Sequence, residues 1–347
     1  MERTIKQVVG IDVGSKELVV CIGRIDQNLR KEIYAYRSFR NTAKGFEAFS
    51  QWVKKATDNN VPIWYVMEAT GVYHEALAYY LEQEQCLIGI ILPNKISSYF
   101  KTLDVKTVTD KTSSEAIALF GLERTVEQWH SPDPMYKKLR QLTRERDQLV
   151  QERTMIKNQL HADKVEAMPN PNSVKRFQQR IKLLDQQEEA ILEEIRQIVK
   201  QGPSLKEHVK ILMTIPGVGL LTAVIILAET NGFELIRNRK QLASYAGLDV
   251  KEKQSGTSVK GKPTISKRGN RYLRKALHLP ALAAIRHEKQ YKNTFVRLVS
   301  KHGIKMKAAV AVQRKILELT YTLFKTRKSY DSQYKPIVTE LSEQKLG

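Results

Sequence analysis

The sequence predicts an α/β N-terminal domain, then a long helical hairpin, then a mainly helical C-terminal domain. Over residues 1–130, short apolar runs alternate with helix-like segments, which is the pattern of an α/β sheet. Residues 131–203 are long, charged and helical in period, and Gly202-Pro203 marks their end. Residues 204–328 hold apolar helices around a basic loop, and we expect the tail, residues 329–347, to be mobile.

The charge balance indicates a polyanionic partner. The chain of 347 residues has 58 Lys and Arg against 37 acids, a net charge of +21, which favours nucleic acid over a membrane surface. No run approaches the roughly 20 apolar residues of a membrane span, and the first residues lack the apolar core of a signal peptide. Cys21 and Cys86 have no metal-ligand spacing, so we expect buried thiols in a cytoplasmic protein.

The first apolar run, Val8–Val13, predicts a strand with Asp12 near its end. Gly14 then allows a tight turn into a second run, Leu18–Ile22, so the two runs form a β-hairpin. Because the run around Asp12 is apolar, its charge needs a partner such as a metal or a group of hydrogen-bond donors. The alternative is that Asp12 caps the turn through its own backbone.

The following segments complete an α/β domain. A third strand is predicted over Glu32–Phe39, a helix after the cap Thr42, and a buried strand over Ile63–Met67 that opens after Pro62. A helix with Tyr73, Leu77 and Tyr80 on one face follows, and then a strand over Cys86–Leu92. Three strands followed by βα units is the order of a ribonuclease H-like domain.

Two more acids resemble Asp12 in their placement. Glu68 directly follows an apolar strand, although a solvent-facing Glu before a turn is the alternative. Asp110 precedes a helix that we expect to begin at a capping box of Thr112 and Glu115, and Asp110 itself is an alternative cap. Three carboxylates from separate elements can hold one or two Mg²⁺ or Mn²⁺ ions, which activate a phosphodiester.

The middle of the chain predicts an antiparallel helical hairpin. Leucines and isoleucines recur at coiled-coil spacing on two arms of roughly 30 residues each, separated by a break at residues 167–172. Arg146 and Arg153 interrupt the apolar seam, so we expect their partners to be acids of a second chain. The hairpin is then either a spacer or a dimerisation element that also guides nucleic acid.

Beyond the hairpin, the turn Ile215-Pro216-Gly217-Val218-Gly219 separates two helices. It is typical either of a helix-hairpin-helix turn that binds phosphate or of a tight turn inside a core. Helices are also predicted over residues 271–286 and 307–324.

A basic loop over residues 251–275 has nine Lys and Arg and one acid, Glu252. Ser255 in this loop lies beside glycine and can attack a phosphodiester whose developing charge the cations stabilise, or the cations merely bind phosphates. The expected nucleic-acid ligands are Lys251, Lys253, Lys260, Lys262, Lys267, Arg268, Arg271 and Arg274.

Taken together, these motifs resemble those of DEDD-type insertion-sequence transposases, the IS110 family. Val-Gly-Ile-Asp-Val-Gly at Asp12, Met-Glu-Ala-Thr-Gly at Glu68 and Thr-Asp-Lys-Thr at Asp110 are similar to the RuvC-like domain of that family. Ile-Pro-Gly-Val-Gly, Tyr-Ala-Gly-Leu, Gln-Ser-Gly and Ser-Lys-Arg-Gly-Asn are similar to its C-terminal transposase domain. The resemblance covers nearly the whole chain.

The resemblance implies a DNA recombinase of a prokaryotic cytoplasm, associated with the nucleoid when bound to DNA. It implies that Asp12, Glu68 and Asp110 bind metal and that Ser255 forms a covalent phosphoserine link to double-stranded DNA. It also implies a guiding bridge RNA and a homo-oligomer, dimer or tetramer, in which one protomer supplies the acids and another the serine. The fourth acid of the family falls on Ser113, a poorer metal ligand. Glu115 is the alternative fourth ligand, although its expected place in the capping box argues against it.

Three other functions remain open at this point. Gly-Ile-Asp-Val-Gly-Ser also resembles the first phosphate loop of actin-like ATPases and sugar kinases, but the sequence has no second Asp-Gly phosphate loop. A metal-dependent junction resolvase would use the acids without serine chemistry. A non-catalytic nucleic-acid binder would need neither the metal-binding acids nor the serine.

Overall fold

The structure is a computed structural model, and it describes residues 3–69, 71–234, 236–251, 254–255, 259–260 and 264–333. The chain forms two compact units, Met1–Ser131 and Pro132–Gly347. Among the described helices, none combines the length and apolar composition needed to cross a lipid bilayer.

The first unit is built on a five-stranded mixed sheet in the order β3-β2-β1-β4-β5. Strands β1 to β3 pair antiparallel, whereas β4 is parallel to both β1 and β5. This is the ribonuclease H-like order that the sequence predicted, since a hairpin and a third strand precede the βα units. The strands are β1 (Thr4–Val13), β2 (Glu17–Asp26), β3 (Lys31–Arg40), β4 (Ile63–Glu68) and β5 (Leu87–Ile91).

Helices pack on both faces of this sheet. Val9 and Ile11 point to one core, with helices α1 and α2, while Val8 points to the other, with helix α4. This alternation follows from the two-residue period of a strand. The predicted cap Thr42 accepts a hydrogen bond from the Gly45 N–H. The helices are α1 (Ala43–Ala56), α2 (Glu75–Gln83), α3 (Pro93–Phe100), which the sequence did not predict, and α4 (Asp110–Glu123).

Helix α4 lies unusually close to the central strand β1. A Cβ atom at Gly10 would be 2.4 Å from both the Ser114 carbonyl oxygen and the Ala118 nitrogen. Only glycine therefore fits at this crossing. The close approach fixes α4, and with it Asp110, against the strand that carries Asp12.

The second unit begins with the predicted helical hairpin, formed by α5 (Pro134–Val165) and α6 (Pro171–Gln201). The arms run antiparallel, because Lys138 pairs with Glu194 at 2.8 Å near one end and Ser173 donates to Asp163 at 2.9 Å near the other. We expected a separate hairpin domain ending at residue 203. Instead the hairpin shares one core with the helices that follow, through Leu139, Leu142, Ile191, Ile195 and Val199.

The rest of this unit is helical. It contains α7 (Pro203–Met213), α8 (Leu220–Glu229), α9 (Arg239–Tyr245), α10 (Arg271–Ala276), α11 (His278–His287), α12 (Lys289–His302) and α13 (Lys305–Thr326). The helix predicted over residues 271–286 is divided at Leu277, and α12 was not predicted.

The segment that we expected to form the mobile tail begins within the second unit. The Tyr330 N–H donates to Thr214 Oγ1 at 2.8 Å, so the first tail residues are held. Residues 334–347 lie outside the part of the chain that the structure describes.

Candidate active site

The sheet brings two of the predicted acids to one edge. Asp12 is the penultimate residue of β1 and Glu68 is the last residue of β4. The two strands are parallel, and Ile11 pairs with Met67, so Asp12 and Glu68 follow at adjacent positions on neighbouring strands. Both side chains are half-buried. This is the edge where ligands bind in open α/β sheets.

Asp110, the third acid, is the first residue of α4 and acts electrostatically on Asp12. Burial, followed by the charges of Asp110 and Glu68, raises the pKa of Asp12 from 3.8 to about 6, against a smaller lowering by a hydrogen bond from Val13. The two charged side chains that shift this pKa, Asp110 and Glu68, are both carboxylates. Three carboxylates from three elements thus share one region, where their mutual repulsion favours binding of a cation.

These residues fit a divalent metal in their chemistry, since Mg²⁺ and Mn²⁺ prefer carboxylate oxygens. Within the described residues, no three His, Cys, Asp or Glu side chains already surround a single metal position. Binding of one ion by all three acids would therefore require their side chains to move.

The start of α4 differs from the prediction. Thr109 is the cap, and its side chain accepts from the Thr112 N–H at 3.2 Å while Thr112 Oγ1 accepts from the Thr109 N–H at 2.8 Å. The capping box is therefore Thr109 with Thr112, one turn earlier than expected. Glu115 instead forms an ion pair with Lys111 at 3.9 Å, so the capping role that argued against Glu115 as the missing fourth acid does not exist. Ser113, at the expected position, is half-buried.

The basic loop of the second unit contains short β-ladders that the sequence did not predict. Strand β6 (Val250–Lys251) pairs with β9 (Thr264–Ile265), and β7 (Gln254–Ser255) pairs with β8 (Val259–Lys260). Ser255 pairs with Val259 in the ladder of β7 and β8. The side chains of Ser255 and Lys260, and all of Lys253 and Lys262, lie outside the described part of the chain.

The remaining predicted nucleic-acid ligands divide into two groups. Lys251, Lys267 and Arg268 are exposed. Arg274 instead donates to the Ala246 and Gly269 carbonyls at 2.7 and 3.2 Å, so it stabilises the base of the loop. Arg271 is exposed and donates to the Tyr272 hydroxyl at 3.1 Å.

A buried carboxylate that sequence reasoning missed lies beneath this base. Glu229, 2% exposed at the end of α8, accepts two hydrogen bonds of 2.7 Å from Arg144 of α5. It also accepts one of 2.6 Å from Asn270, which in turn caps α10. The Tyr245 hydroxyl donates to the Glu229 carbonyl at 2.8 Å. The basic loop carries Ser255 and is called the serine loop from here on. The hairpin and the two sides of this loop's base, at Tyr245 and Asn270, are thus tied to Glu229.

Backbone contacts close the loop above Glu229. The Asn270 N–H donates to the Tyr245 carbonyl at 2.7 Å, and the Ser266 hydroxyl donates to Asp249 at 2.5 Å. Gly269 lies so close that an added Cβ would be 2.4 Å from the Tyr245 carbonyl oxygen. The Tyr-Ala-Gly-Leu and Ser-Lys-Arg-Gly-Asn motifs therefore form the two sides of the loop's base.

The Pro-Gly-Val-Gly turn packs against α11. Gly217 has a φ of +85°, and a Cβ there would be 2.4 Å from the Pro280 carbonyl oxygen. Packing alone accounts for this glycine, and phosphate binding at the turn stays a prediction.

The expectation that Arg146 and Arg153 need a second chain was wrong. Arg146 pairs with Glu188 at 2.6 Å, and Arg153 pairs with Asp185 at 2.6 Å and with Glu188, all within one hairpin. These arginines therefore give no support for a site shared between two protomers, which stays a prediction.

Comparison with known proteins identifies the family. Residues 9–169 match the transposase family model of DEDD IS110 type, and residues 209–296 match the model described as transposase IS116/IS110/IS902 family. The pilin gene-inverting protein of Moraxella bovis is 27% identical over 331 residues, covering 94% of this chain and 98% of that protein.

Two further comparisons cover parts of the chain. The transposase for insertion sequence element IS1111A of Coxiella burnetii is 30% identical over 144 residues, covering 40% of this chain and 37% of that protein. Thermus thermophilus RuvC is 11% identical with a TM-score of 0.28, covering 35% of this chain and 99% of that one. Since the two family matches fall in both units, the chain belongs to the IS110 family of DEDD transposases and is a DNA transposase or recombinase.

Proposed function

We propose that this protein cuts and rejoins DNA strands with Asp12, Glu68 and Asp110 as metal ligands and Ser255 as the nucleophile. The observation that carries the proposal is that Asp12 and Glu68 follow paired residues on neighbouring strands, while burial and then the charges of Asp110 and Glu68 raise the pKa of Asp12. The name of the Moraxella bovis relative, a gene-inverting protein, supports rejoining as well as cutting. Inversion requires every broken phosphodiester to be restored.

The acids and the serine have separate tasks in this proposal. Asp12, Glu68 and Asp110 would hold Mg²⁺ or Mn²⁺, which when bound supplies positive charge to a phosphodiester. The Ser255 oxygen forms a bond to phosphorus while the bond to one bridging DNA oxygen breaks, and the serine proton ends on the released DNA hydroxyl. One ester replaces another, so attack by a second DNA hydroxyl can reverse the step without an energy source.

The partners follow from charge and family. The net charge of +21 supports binding of double-stranded DNA, and the exposed Lys251, Lys267 and Arg268 beside the serine strands are suited to its phosphates. A structured guide RNA and a homo-oligomer, dimer or tetramer, are proposed from the family resemblance.

A serine-linked adduct is the decisive test. The protein is incubated with Mg²⁺, guide RNA and labelled DNA carrying an element end, and covalent protein–DNA product is measured on a denaturing gel. We expect Ser255→Ala and Asp12→Ala to abolish the adduct, excess chelator to do the same, and the matched control Ser258→Ala to retain it. Strand cleavage that persists in Ser255→Ala would establish the resolvase alternative instead.

Ser113 provides a second arm of this test. If the fourth ligand is weak because it is a hydroxyl, Ser113→Asp should lower the Mg²⁺ concentration needed for half-maximal adduct formation. The neighbouring Ser114 is buried and is not substituted. An unchanged or higher requirement would mean that another residue, such as Glu115, completes the site.

A further inference from the structure

Helix α12 and the first turn of α13 form a basic surface outside the serine loop. The 29 residues from Lys289 to Leu317 contain eight Lys and Arg and no Asp or Glu. Seven of the eight are exposed, and six of these belong to this surface: Lys289, Lys292, Arg297, Lys301, Lys305 and Lys307. We call these six residues the α12 surface.

Only one face of α12 is used for packing. Tyr291 is 2% exposed, Phe295 and Leu298 are half-buried, and the helix contacts α11 and α13. The exposed Lys315 of α13 has its ammonium 6.0 Å from the centre of the Tyr291 ring, so it is not counted in the α12 surface. The opposite face of α12 is exposed along its whole length.

The charges of the α12 surface are not compensated within the described chain. No carboxylate among the described residues lies within 4.0 Å of any of the six cations. By contrast, Arg314 on the next turns of α13 pairs with Glu318 at 2.7 Å. Lys305 and Lys307 also stand at the positive end of the α13 dipole, where cations destabilise a helix. A surface that costs stability in this way is suited to an anionic ligand.

The exposed face of α12 has an ordered pattern. At about 100° per residue, Lys289, Asn293, Val296 and Ser300 form a central stripe. Lys292 flanks the stripe on one side, and Arg297 and Lys301 flank it on the other. Cations on both edges can reach two phosphate backbones, and the uncharged middle can reach base edges between them.

We propose that α12 is a recognition helix that lies in the major groove of duplex DNA. The groove is about 12 Å wide and admits a helix of about 10–12 Å diameter. Lys292, Arg297 and Lys301 bind the phosphates on either side. Asn293 and Ser300 hydrogen-bond base edges, and Val296 contacts a thymine methyl. Insertion of a helix into the groove excludes an A-form RNA duplex, whose major groove is too narrow for side chains to read, and we therefore take duplex DNA as the ligand.

This inference rests on the proposed function only in taking DNA as the substrate, so it is tested by binding rather than cleavage. Full-length protein is titrated with fluorescent duplex DNA carrying an element end, in chelator and over a range of salt concentrations. For the triple variant Lys292→Gln, Arg297→Gln, Lys301→Gln, the slope of log affinity against log salt should fall by about 0.9 for each phosphate that the variant no longer neutralises. The matched control removes three exposed cations of α1, Lys44, Lys54 and Lys55, and should leave the slope unchanged.

The contacts to base edges in the major groove are tested by a separate measurement of sequence preference. Asn293→Ala with Ser300→Ala changes no charge, and we expect it to reduce the preference for an element end over a shuffled duplex by about 5- to 150-fold. A double-stranded RNA of the same length should compete poorly with the duplex DNA. An unchanged salt slope in the triple variant, an unchanged preference in the double variant, or equal competition by RNA would each overturn the proposal. Failure to form the serine adduct would leave these binding measurements unaffected.

Discussion

At neutral pH, the charged carboxylate of Asp12 destabilises the first unit. Its carboxyl is half-buried, and burial together with two acids raises its pKa to about 6 from the 3.8 of an exposed aspartate. The folded protein therefore binds this proton more tightly than the unfolded chain does. The stabilising effect of protonated Asp12 is fully present below about pH 4 and is lost as the pH rises through about 6.

Replacing Asp12 by Asn should consequently stabilise the first unit at neutral pH. The shift corresponds at most to about 3 kcal/mol, and partial solvent exposure reduces the expected gain to on the order of 1 kcal/mol. Near pH 4 the gain should vanish. Thermal unfolding in chelator at both pH values measures this, and an equal effect at the two would show that folding does not raise the pKa of Asp12.

The sequence could indicate these acids because each stands at the end of an apolar run or the start of a helix. Glu229 also follows an apolar run, yet its importance depends on Arg144 and Asn270, 85 and 41 residues away in sequence. The helix cap shows a similar limit. Thr109 and Thr112 both precede suitable partners three residues later, and the folded chain uses the first.

At the scale of elements, the crossing of α4 over β1 depends on Gly10. An alanine there would place Cβ 2.4 Å from backbone atoms of Ser114 and Ala118, which cannot move aside as a side-chain tip can. We expect Gly10→Ala to destabilise the first unit by about 3 kcal/mol or more. The control is Gly219→Ala, whose φ is −91° and whose Cβ would meet nothing within 4 Å. Equal melting temperatures for the two variants would contradict this packing.

The base of the serine loop depends on Glu229 in a comparable way. Glu229→Gln removes the charge that Arg144 pairs with, and it leaves a buried amide donor facing that guanidinium. Because the Arg144 side chain is 41% exposed, we expect a loss of about 2 kcal/mol rather than the full cost of breaking a buried pair. Glu194→Gln, which breaks an exposed pair with Lys138, should cost below about 1 kcal/mol. Urea unfolding of both variants measures the difference, which would be absent if Glu229 were not a structural centre.

Element prediction succeeded where period and length agreed. The hairpin arms have 32 and 31 residues, close to expectation, because long amphipathic periods persist over many turns. Helix α12 was not predicted, although Tyr291, Phe295 and Leu298 recur at helical spacing, and Tyr291 is the one buried residue among its 14. The two-residue ladders of the basic loop are too short to leave any alternating pattern in the sequence.

At the scale of the whole molecule, the second unit has a single core that extends into the hairpin. Leu139 and Leu142 of α5 and Ile191, Ile195 and Val199 of α6 are buried together with residues of α7, α8 and α13. The ion pair between Arg144 and Glu229 joins the same two parts. The hairpin is therefore part of the fold of this unit and not only a spacer.

This arrangement predicts which fragments of the chain fold. A fragment of residues 132–347 should unfold cooperatively on heating, whereas residues 204–347 alone should not. Removing the hairpin deletes its five buried core side chains, each contributing about 1.5–3 kcal/mol of burial, and their sum is comparable to the roughly 5–15 kcal/mol by which a domain is stable. Circular dichroism and thermal unfolding of the two fragments test this. A cooperative transition in residues 204–347 would show that the helices after the hairpin form an independent domain and that the shared core is dispensable.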